Sequence, residues 1–365
     1  MTYIHERENW PVFRWQDDQL ATLLAEVRHR QGRLLGRMEA LGFALRTEAS
    51  LHSLTEEVVK SSEIEGEILD KDQVRSSIAR RLGLDIAGLV PADRDVEGVV
   101  DMMLDAAQNY EDPLNADRLF GWHAALFPAG RSGLTKIRAG TWRDDSQGPM
   151  QVVSGPFGRE KVHYQAPPAK QIYREMKAFL KWFEAERRID PVLKAGVAHL
   201  WFVTIHPFED GNGRIARAIA DLALARSEGT SQRFYSMSAQ IRVERTAYYE
   251  MLEKTQKGDL DITEWLRWFL ECLDRAFTRA EELLGSVMKK ALFWERVADT
   301  SINERQRKVL NRMLNGIEGK LTSSKYAKFA KTSQDTAGRD IIDLVKKGLL
   351  TRDEAGGRST SYSLV

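Results

Sequence analysis

The sequence is poor in cysteine and carries almost no net charge. Its 365 residues include one cysteine, Cys272, and the formal net charge at pH 7 is +1. A single cysteine cannot form an internal disulfide, so a disulfide framework is excluded and a reducing cytosol is expected. Cys272 lies in the apolar run WLRWFLECLDRAF, which favours a packed core thiol over a nucleophile.

The sequence also has no apolar run long enough to span a bilayer. It does not start with a charged segment followed by an apolar one, as a secretory signal would. We therefore expect a cytoplasmic protein with no membrane partner. Long repeats and low-complexity tracts are absent as well, and the length predicts two or three domains.

The charge that is present is distributed unevenly. Residues 301–365 contain thirteen lysines and arginines against seven aspartates and glutamates, a balance of +6, and the rest of the chain has a balance of −5. A basic end on a slightly acidic body favours contact with nucleic acid.

Apolar residues at helical spacing predict a mainly α fold. Aspartate and glycine mark several helix ends, such as Asp70, Asp190 before Pro191, and Gly42. The predicted helices before residue 300 are 20–41, 51–65, one that follows Asp70, 96–110, 116–127, 192–205, 213–226, 245–254 and 262–284.

One stretch interrupts the helical pattern. The segments Gln151–Val153 and Val162–Tyr164 flank a Gly/Pro-rich turn, which is typical of a β-hairpin, and Pro167 and Pro168 follow it.

The last 65 residues predict a separate winged helix-turn-helix. Helices are expected at 304–314, 324–330 and 333–347, and two strands, 349–352 and 361–364, flank Gly356 and Gly357 as a wing. Candidate DNA contacts are Ser333, Gln334, Thr336 and Arg339 on the third helix, with Lys331, Arg352 and Arg358 near phosphates. A winged helix that binds protein and no DNA is the alternative.

The most informative segment is HPFEDGNGRIAR, residues 206–217, between two predicted helices. Glycines let the backbone approach a ligand, and the N–H groups that begin a helix attract anions. Arg214 and Arg217 lie three residues apart and share a face of that helix. Asp210 is a hard oxygen ligand suited to Mg²⁺, and His206 is a candidate base. The segment therefore predicts a phosphate-binding loop.

This segment resembles the HPFxDGNGRxxR motif of Fic (filamentation induced by cAMP) domains at every defined position. The resemblance implies a helical Fic core with a β-hairpin flap that holds a target segment. It also implies transfer of AMP from ATP and Mg²⁺ to a Ser, Thr or Tyr hydroxyl of a target protein. The resemblance does not identify that target, and the chain itself is one candidate. The implied domains are 1–90 (N-terminal helical), 91–290 (Fic) and 300–365 (winged helix).

The resemblance also implies roles for individual residues. His206 would be the general base and Asp210 the Mg²⁺ ligand. Arg214 and Arg217 would neutralise the β- and γ-phosphates. The phosphate loop would be formed by Gly211, Asn212 and Gly213. Tyr248 and Tyr249 are candidates for the adenine pocket, and the alternative for such an aromatic pair at a helix start is a place in the core.

A second short segment, Ser61–Gly66 (SSEIEG), resembles the inhibitory S/T-x-x-x-E-G/N motif of one Fic subclass. The matching residues are Ser61, Glu65 and Gly66. The resemblance implies that Glu65 pairs with Arg217, occupies the arginine that the γ-phosphate needs, and keeps activity low. Without the resemblance, the segment is a solvated helix end.

Two other functions remain open at this point. Some Fic relatives use the inhibitory glutamate to position water and remove AMP, so a de-AMPylating hydrolase is one alternative. A transcription regulator that uses the Fic core as a nucleotide sensor is the other. Many relatives dimerise, so the resemblance leaves a homodimer open.

Overall fold

The chain folds into two compact units, Met1–Ala280 and Glu281–Val365. The computed structural model describes residues 2–84, 88–146, 148–155, 158–298, 300–314, 317, 319–353 and 360–365. The prediction of a mainly helical fold is confirmed, because the strands in these ranges are short and few. No described helix is both long and apolar enough to cross a membrane.

Three helices begin the chain: α1 Asp17–Glu39, α2 Phe43–Ile64 and α3 Lys71–Arg81. The Asp70 side chain caps α3 by accepting from the backbone N–H of Gln73, as expected. The prediction that α2 begins at Leu51 is wrong, since the helix extends to Phe43. Its first turns carry exposed and half-buried side chains, so the apolar periodicity did not mark them.

The next elements are α4 Arg94–Gln108, α5 Ala116–Leu126, β1 Arg131–Ser132, β2 Thr135–Lys136, β3 Gln151–Ser154 and β4 Lys161–Gln165. The expected hairpin is formed by β3 and β4, which pair antiparallel with an irregularity between Val152 and Val153. The strands β1 and β2 were not predicted, because two-residue strands leave no periodic signal.

Three helices form the centre of the first unit: α6 Ala169–Ala185, α7 Pro191–Ile205 and α8 Asn212–Glu228. Sequence reasoning missed α6, although Ile172, Met176, Phe179 and Phe183 are buried at helical spacing. The pair Pro167–Pro168 ends the hairpin but also precedes a helix start, where proline is well tolerated. Helix α7 is buried from Val192 to its end, as expected for a central helix that is apolar on all sides.

The first unit is completed by α9 Met237–Val243, α10 Arg245–Gln256 and the start of α11 Thr263–Arg296. Helix α9 was not predicted, and α11 continues beyond its predicted end at Leu284. Cys272 is fully buried in α11, as its apolar neighbours indicate.

The second unit contains α12 Glu304–Leu314, α13 Ser323–Ala330, α14 Gln334–Lys346, β5 Leu350–Arg352 and β6 Tyr362–Leu364. Its core includes Val309, Leu310, Tyr326, Ile341 and Leu344. Strands β5 and β6 pair antiparallel. The helices and strands of this unit follow the predicted order. That the unit is a winged helix stays a prediction.

The candidate DNA contacts of this unit lie mainly on its surface. Lys331, Ser333, Gln334, Arg339 and Arg352 are exposed, and Thr336 is half-buried. Gly356, Gly357 and Arg358 lie outside the described residues.

Candidate active site

The loop between α7 and α8 adopts left-handed backbone at both of its ends. His206 has φ of 51° and Gly211 has φ of 77°. The Asn212 side chain closes the loop, because its Oδ1 accepts from the Phe208 N–H at 2.9 Å and its Nδ2 donates to the Phe208 carbonyl at 2.8 Å. This bracing fixes the turn that leads into the first turn of α8, and the N–H groups that begin a helix can bind anions.

Phe208 anchors the loop in the core. Its side chain is fully buried and stacks on the His123 ring at a centroid distance of 4.1 Å. The His123 ring also contacts the loop backbone, with Nε2 3.2 Å from the Asp210 carbonyl, and accepts from the Gly140 N–H through Nδ1 at 2.9 Å. Burial lowers the pKa of His123 to about 4, so the ring is neutral at physiological pH.

His206 is held as a neutral imidazole. Its Nδ1 lies 3.2 Å from the Val203 carbonyl oxygen. That oxygen can only accept, so Nδ1 carries the proton and Nε2 presents a lone pair. Burial, with a smaller contribution from the charge of Arg143, lowers the pKa of His206 to about 4. An imidazole with a free Nε2 can accept a proton from a hydroxyl in the adjoining cavity.

Asp210 places a carboxylate in the same loop. Its Oδ1 accepts from the Gly211 N–H at 2.6 Å, and its Oδ2 accepts from the Ser132 hydroxyl. Within the described ranges, no three His, Cys, Asp or Glu side chains gather as a metal site. A single carboxylate nevertheless fits Mg²⁺, which is often held by one or two carboxylates, waters and substrate phosphates.

Arg217 is buried and contacts the end of α2. Its Nη2 lies 2.8 Å from Glu65 Oε1 and donates to the Ser61 carbonyl at 2.8 Å, and its Nε donates to Ser61 Oγ at 2.9 Å. Glu65 is therefore in contact with the arginine that the sequence resemblance implies. Gly66, with φ of 89°, turns the chain away after this contact.

Arg214 has an acidic partner from the same segment. Its Nη1 forms an ion pair with Glu67, and its guanidinium lies 5.1 Å from the centre of the Phe127 ring. Sequence reasoning did not single out Glu67, although it continues the acidic pattern of Glu63 and Glu65. Two carboxylates, Glu65 and Glu67, thus pair with Arg217 and Arg214 near the start of α8.

The hydrogen-bond donors of Arg214 and Arg217 fit a polyphosphate. Among the described side chains, Arg214 Nε and Arg217 Nη1 are buried nitrogens without a hydrogen-bond partner. A Cβ added to Gly213 would lie 2.1 Å from Glu65 Oε1. The Glu65 carboxylate therefore rests directly on the first turn of α8, where helix N-termini bind anions.

Two further residues hold the end of α2 in place. Arg245 Nε donates to the Ile64 carbonyl at 2.7 Å, and the Tyr249 hydroxyl donates to Glu65 Oε2 at 3.2 Å. Burial, and then the charge of Glu65, raises the pKa of Tyr249 to about 12, so its hydroxyl stays a donor. Arg245 lies outside both sequence motifs, and only the fold shows that it contacts the end of α2.

Helix α2 is also fixed two turns earlier through the buried Glu57. Its carboxylate accepts from Ser236 Oγ at 2.7 Å, from the Ser238 N–H at 3.0 Å and from the Ser238 hydroxyl. Burial raises the pKa of Glu57. These contacts join α2 to the start of α9.

A cavity of about 580 Å³ lies beside the loop. Its lining includes Glu65, His206 and Gly213, the hairpin strands, and Tyr248 and Tyr249 of α10. The volume lies within the range of small-molecule sites. Tyr248 is almost fully buried, and its hydroxyl lies 2.9 Å from His199 Nε2.

The fold and the loop define a helical domain of the Fic type. Residues 113–224 match the family model "Fic/DOC family", and residues 3–84 match a domain of unknown function, DUF4172. The chain therefore contains a Fic/DOC domain.

The curated relatives match about a third of the chain. "Protein adenylyltransferase Fic" of Drosophila melanogaster is 30% identical over 129 residues, and that of Culex quinquefasciatus is 32% identical over 129 residues. These matches span 34% of this chain and 25% and 24% of the two relatives. The chain thus spans about a quarter of their length.

Solved structures resemble the fold over a larger range. A Fic family protein from Desulfovibrio desulfuricans aligns with a TM-score of 0.55 and 21% identity, over 95% of this chain and 96% of the other. A Fic domain containing signaling protein from Bacteroides thetaiotaomicron aligns with a TM-score of 0.51 and 19% identity, over 73% and 98%.

Proposed function

We propose that this chain is a protein adenylyltransferase that moves AMP from Mg-ATP to a Ser, Thr or Tyr hydroxyl of a target protein. The observation that carries the proposal is the arrangement of one loop. A neutral His206 and Gly213 line a single cavity of nucleotide size, together with Glu65, which contacts Arg217. Asp210 and Arg214 belong to the same twelve-residue segment as His206 and Arg217. The names of the curated relatives support the same activity.

Each loop residue has a definite task in this reaction. Arg214, Arg217 and the N–H groups at the start of α8 bind the β- and γ-phosphates, so that the α-phosphate faces His206. His206 Nε2 accepts the proton of the target hydroxyl while that oxygen bonds to the α-phosphorus and pyrophosphate leaves. Mg²⁺ on Asp210 supplies charge neutralisation to the phosphates when bound. Positioning and neutralisation of this kind account for most catalysis of phosphoryl-type transfer.

The activity is held low by the segment that follows α2. Glu65 occupies Arg217 and rests on the anion site of α8, while Glu67 occupies Arg214. A γ-phosphate would have to displace Glu65 to reach Arg217. Arg245, Tyr249 and Glu57 stabilise this state, because each fixes part of α2.

A hydrolase that removes AMP is a second candidate, favoured by the position of Glu65 in the same cavity as His206. The partly exposed carboxylate could orient a water molecule for attack on an AMP-protein phosphodiester. Release of AMP from an adenylylated protein by the unmodified chain, and its loss in Glu65→Gln, would support this direction.

The β3–β4 hairpin is suited to hold the target segment by strand pairing. The second unit either recruits the target or contacts DNA. Transfer activity that survives removal of residues 301–365 favours the enzyme over a DNA-binding nucleotide sensor. Salt-sensitive DNA binding that changes with ATP would favour the sensor.

The decisive experiment combines capture with mass spectrometry. The Glu65→Gly chain is incubated with ATP, Mg²⁺ and cell lysate, and captured proteins are examined for an added adenylyl group. The same variant with His206→Ala is the control. An adduct that depends on His206 supports the proposal and names the target, and the absence of any adduct on any protein contradicts it.

A further inference from the structure

Ser154, His163 and Glu253 form a hydrogen-bonded chain on the cavity wall. Ser154 Oγ lies 2.5 Å from His163 Nε2, and His163 Nδ1 lies 2.5 Å from Glu253 Oε2. Ser154 belongs to β3, His163 to β4 and Glu253 to α10, and all three line the cavity that also contains His206. The proposed function assigns no role to this group.

The strand register explains why the hairpin side chains meet. Ser154 is paired with Lys161, and His163 lies two residues further along β4 on the same face. That face is turned toward α10, since Lys161 also lies 4.0 Å from Glu253 Oε1.

Glu253 determines which nitrogen of His163 carries the ring proton. Hydrogen bonds from Lys257 and, less strongly, from His163 lower the pKa of Glu253 to about 2, so the carboxylate is ionised and can only accept. His163 Nδ1 therefore carries the ring proton, and Nε2 accepts the hydroxyl proton of Ser154. A hydroxyl on a base that a third group orients is the general signature of an activated nucleophile.

We propose that Ser154 is a self-modification site whose hydroxyl accepts the adenylyl group of ATP bound in this cavity, with His163 as its base. The inference rests on the proposed function, because that function supplies the donor. The Oγ–phosphorus bond forms at the α-phosphate, the bond to the β-phosphate oxygen breaks, and pyrophosphate leaves. The hydroxyl proton passes to His163 Nε2, and Glu253 stabilises the imidazolium.

The modification has a structural consequence for the hairpin. Ser154 is exposed, so its hydroxyl is accessible to a nucleotide in the cavity. An AMP group on Ser154 would end the hydrogen bond to His163 and place a phosphodiester beside the target-holding strands. Modified chains would therefore bind target segments less well.

The test uses the full chain with Glu65→Gly, ATP and Mg²⁺, without lysate, followed by peptide mass spectrometry. We expect an adenylyl group on the peptide that contains Ser154, its loss in Ser154→Ala and its retention in Ser154→Thr. His163→Gln should slow the labelling of Ser154 about 100-fold, the range of general-base contributions. Ser146→Ala is the matched control, since Ser146 is also an exposed serine and its hydroxyl donates to Asp144, with no histidine partner among the described residues.

A fluorophosphonate probe gives a readout that needs neither ATP nor the transferase activity. The unmodified chain should react at Ser154 faster than at Ser146, and His163→Gln should remove that difference. Equal labelling of the two serines would show that Ser154 is not activated and would overturn the inference.

The two proposals fail in different ways. Adducts on other residues or on lysate proteins, with none on Ser154, overturn the self-modification site and leave the transferase standing. No adenylyl adduct on any protein, even with Glu65→Gly, overturns both.

Discussion

Replacing Glu65 by glycine is expected to release the transferase activity. The change removes the carboxylate that contacts Arg217 and rests on the first turn of α8. Arg217 keeps its two hydrogen bonds to Ser61, so the guanidinium stays in position for a γ-phosphate.

The magnitude follows from the contacts that a nucleotide must break. Glu65 makes one charge-assisted contact with Arg217 and one longer hydrogen bond from Tyr249. Charge-assisted hydrogen bonds contribute about 1.5–3 kcal/mol and neutral ones about 1 kcal/mol. These contacts sum to about 2.5–4 kcal/mol, and because the Glu65 side chain is 31% exposed, water offsets part of this sum, so that roughly 1.5–3 kcal/mol remains. At about 1.4 kcal/mol per tenfold change, the rate should rise roughly 10- to 150-fold.

The assay is the initial rate of adenylyl incorporation from labelled ATP, with thermal unfolding as the check on folding. Glu65→Gln retains the size of the side chain and should give a smaller rise. Glu63→Gln is the matched control, because the ion pairs described for Glu63 are with Lys60 and Arg242 and not with Arg214 or Arg217. A Glu65→Gly rate equal to that of the unmodified chain, in a folded protein, would refute the reasoning.

Three further outcomes follow from the same geometry. Glu67→Gln should lower the KM for ATP by roughly threefold, since the partly exposed pair with Arg214 contributes at most about 1 kcal/mol, and an unchanged KM would contradict this. The pKa of His206 is lowered to about 4, so the Glu65→Gly rate should stay level as pH falls from 7.5 to about 5 and decrease only near pH 4, where the base becomes protonated. A decrease in rate centred near the ordinary histidine pKa of about 6.5, with circular dichroism unchanged, would contradict the lowering of the His206 pKa by burial. Phe208→Ala should reduce the free energy of unfolding by about 3–5 kcal/mol in denaturant titrations, because the buried ring anchors the loop, and a loss below about 1 kcal/mol would exclude that role.

The local elements could be predicted wherever the sequence carried a strong local signal. Helix α12 has its predicted bounds, and the Asp190–Pro191 start of α7 was read from an N-cap acceptor followed by proline. Helix α6 was missed, because two prolines were read as an end and not as a beginning. The first turns of α2 were missed because they lack a continuous buried face.

The candidate catalytic and phosphate-binding residues could be predicted because they lie close together in the sequence. His206, Asp210, Arg214 and Arg217 lie within twelve positions, and the turn and helix start between them follow from glycine and backbone geometry. The pairing of Glu65 with Arg217 was expected only through resemblance to a known motif. Spacing alone does not indicate a contact between Ser61 and Arg217, which are 156 residues apart.

The sequence by itself determined which chemistry this chain can offer, since the ligands, the base and the phosphate-binding backbone lie in one short segment. The tertiary structure alone decided which groups face that segment. It brought Glu67 to Arg214, Arg245 to the end of α2 and Glu253 to His163. The physical reason is that helix packing sets contacts between distant segments, and single polar residues far apart in the chain carry no periodic or spacing signal of their partners.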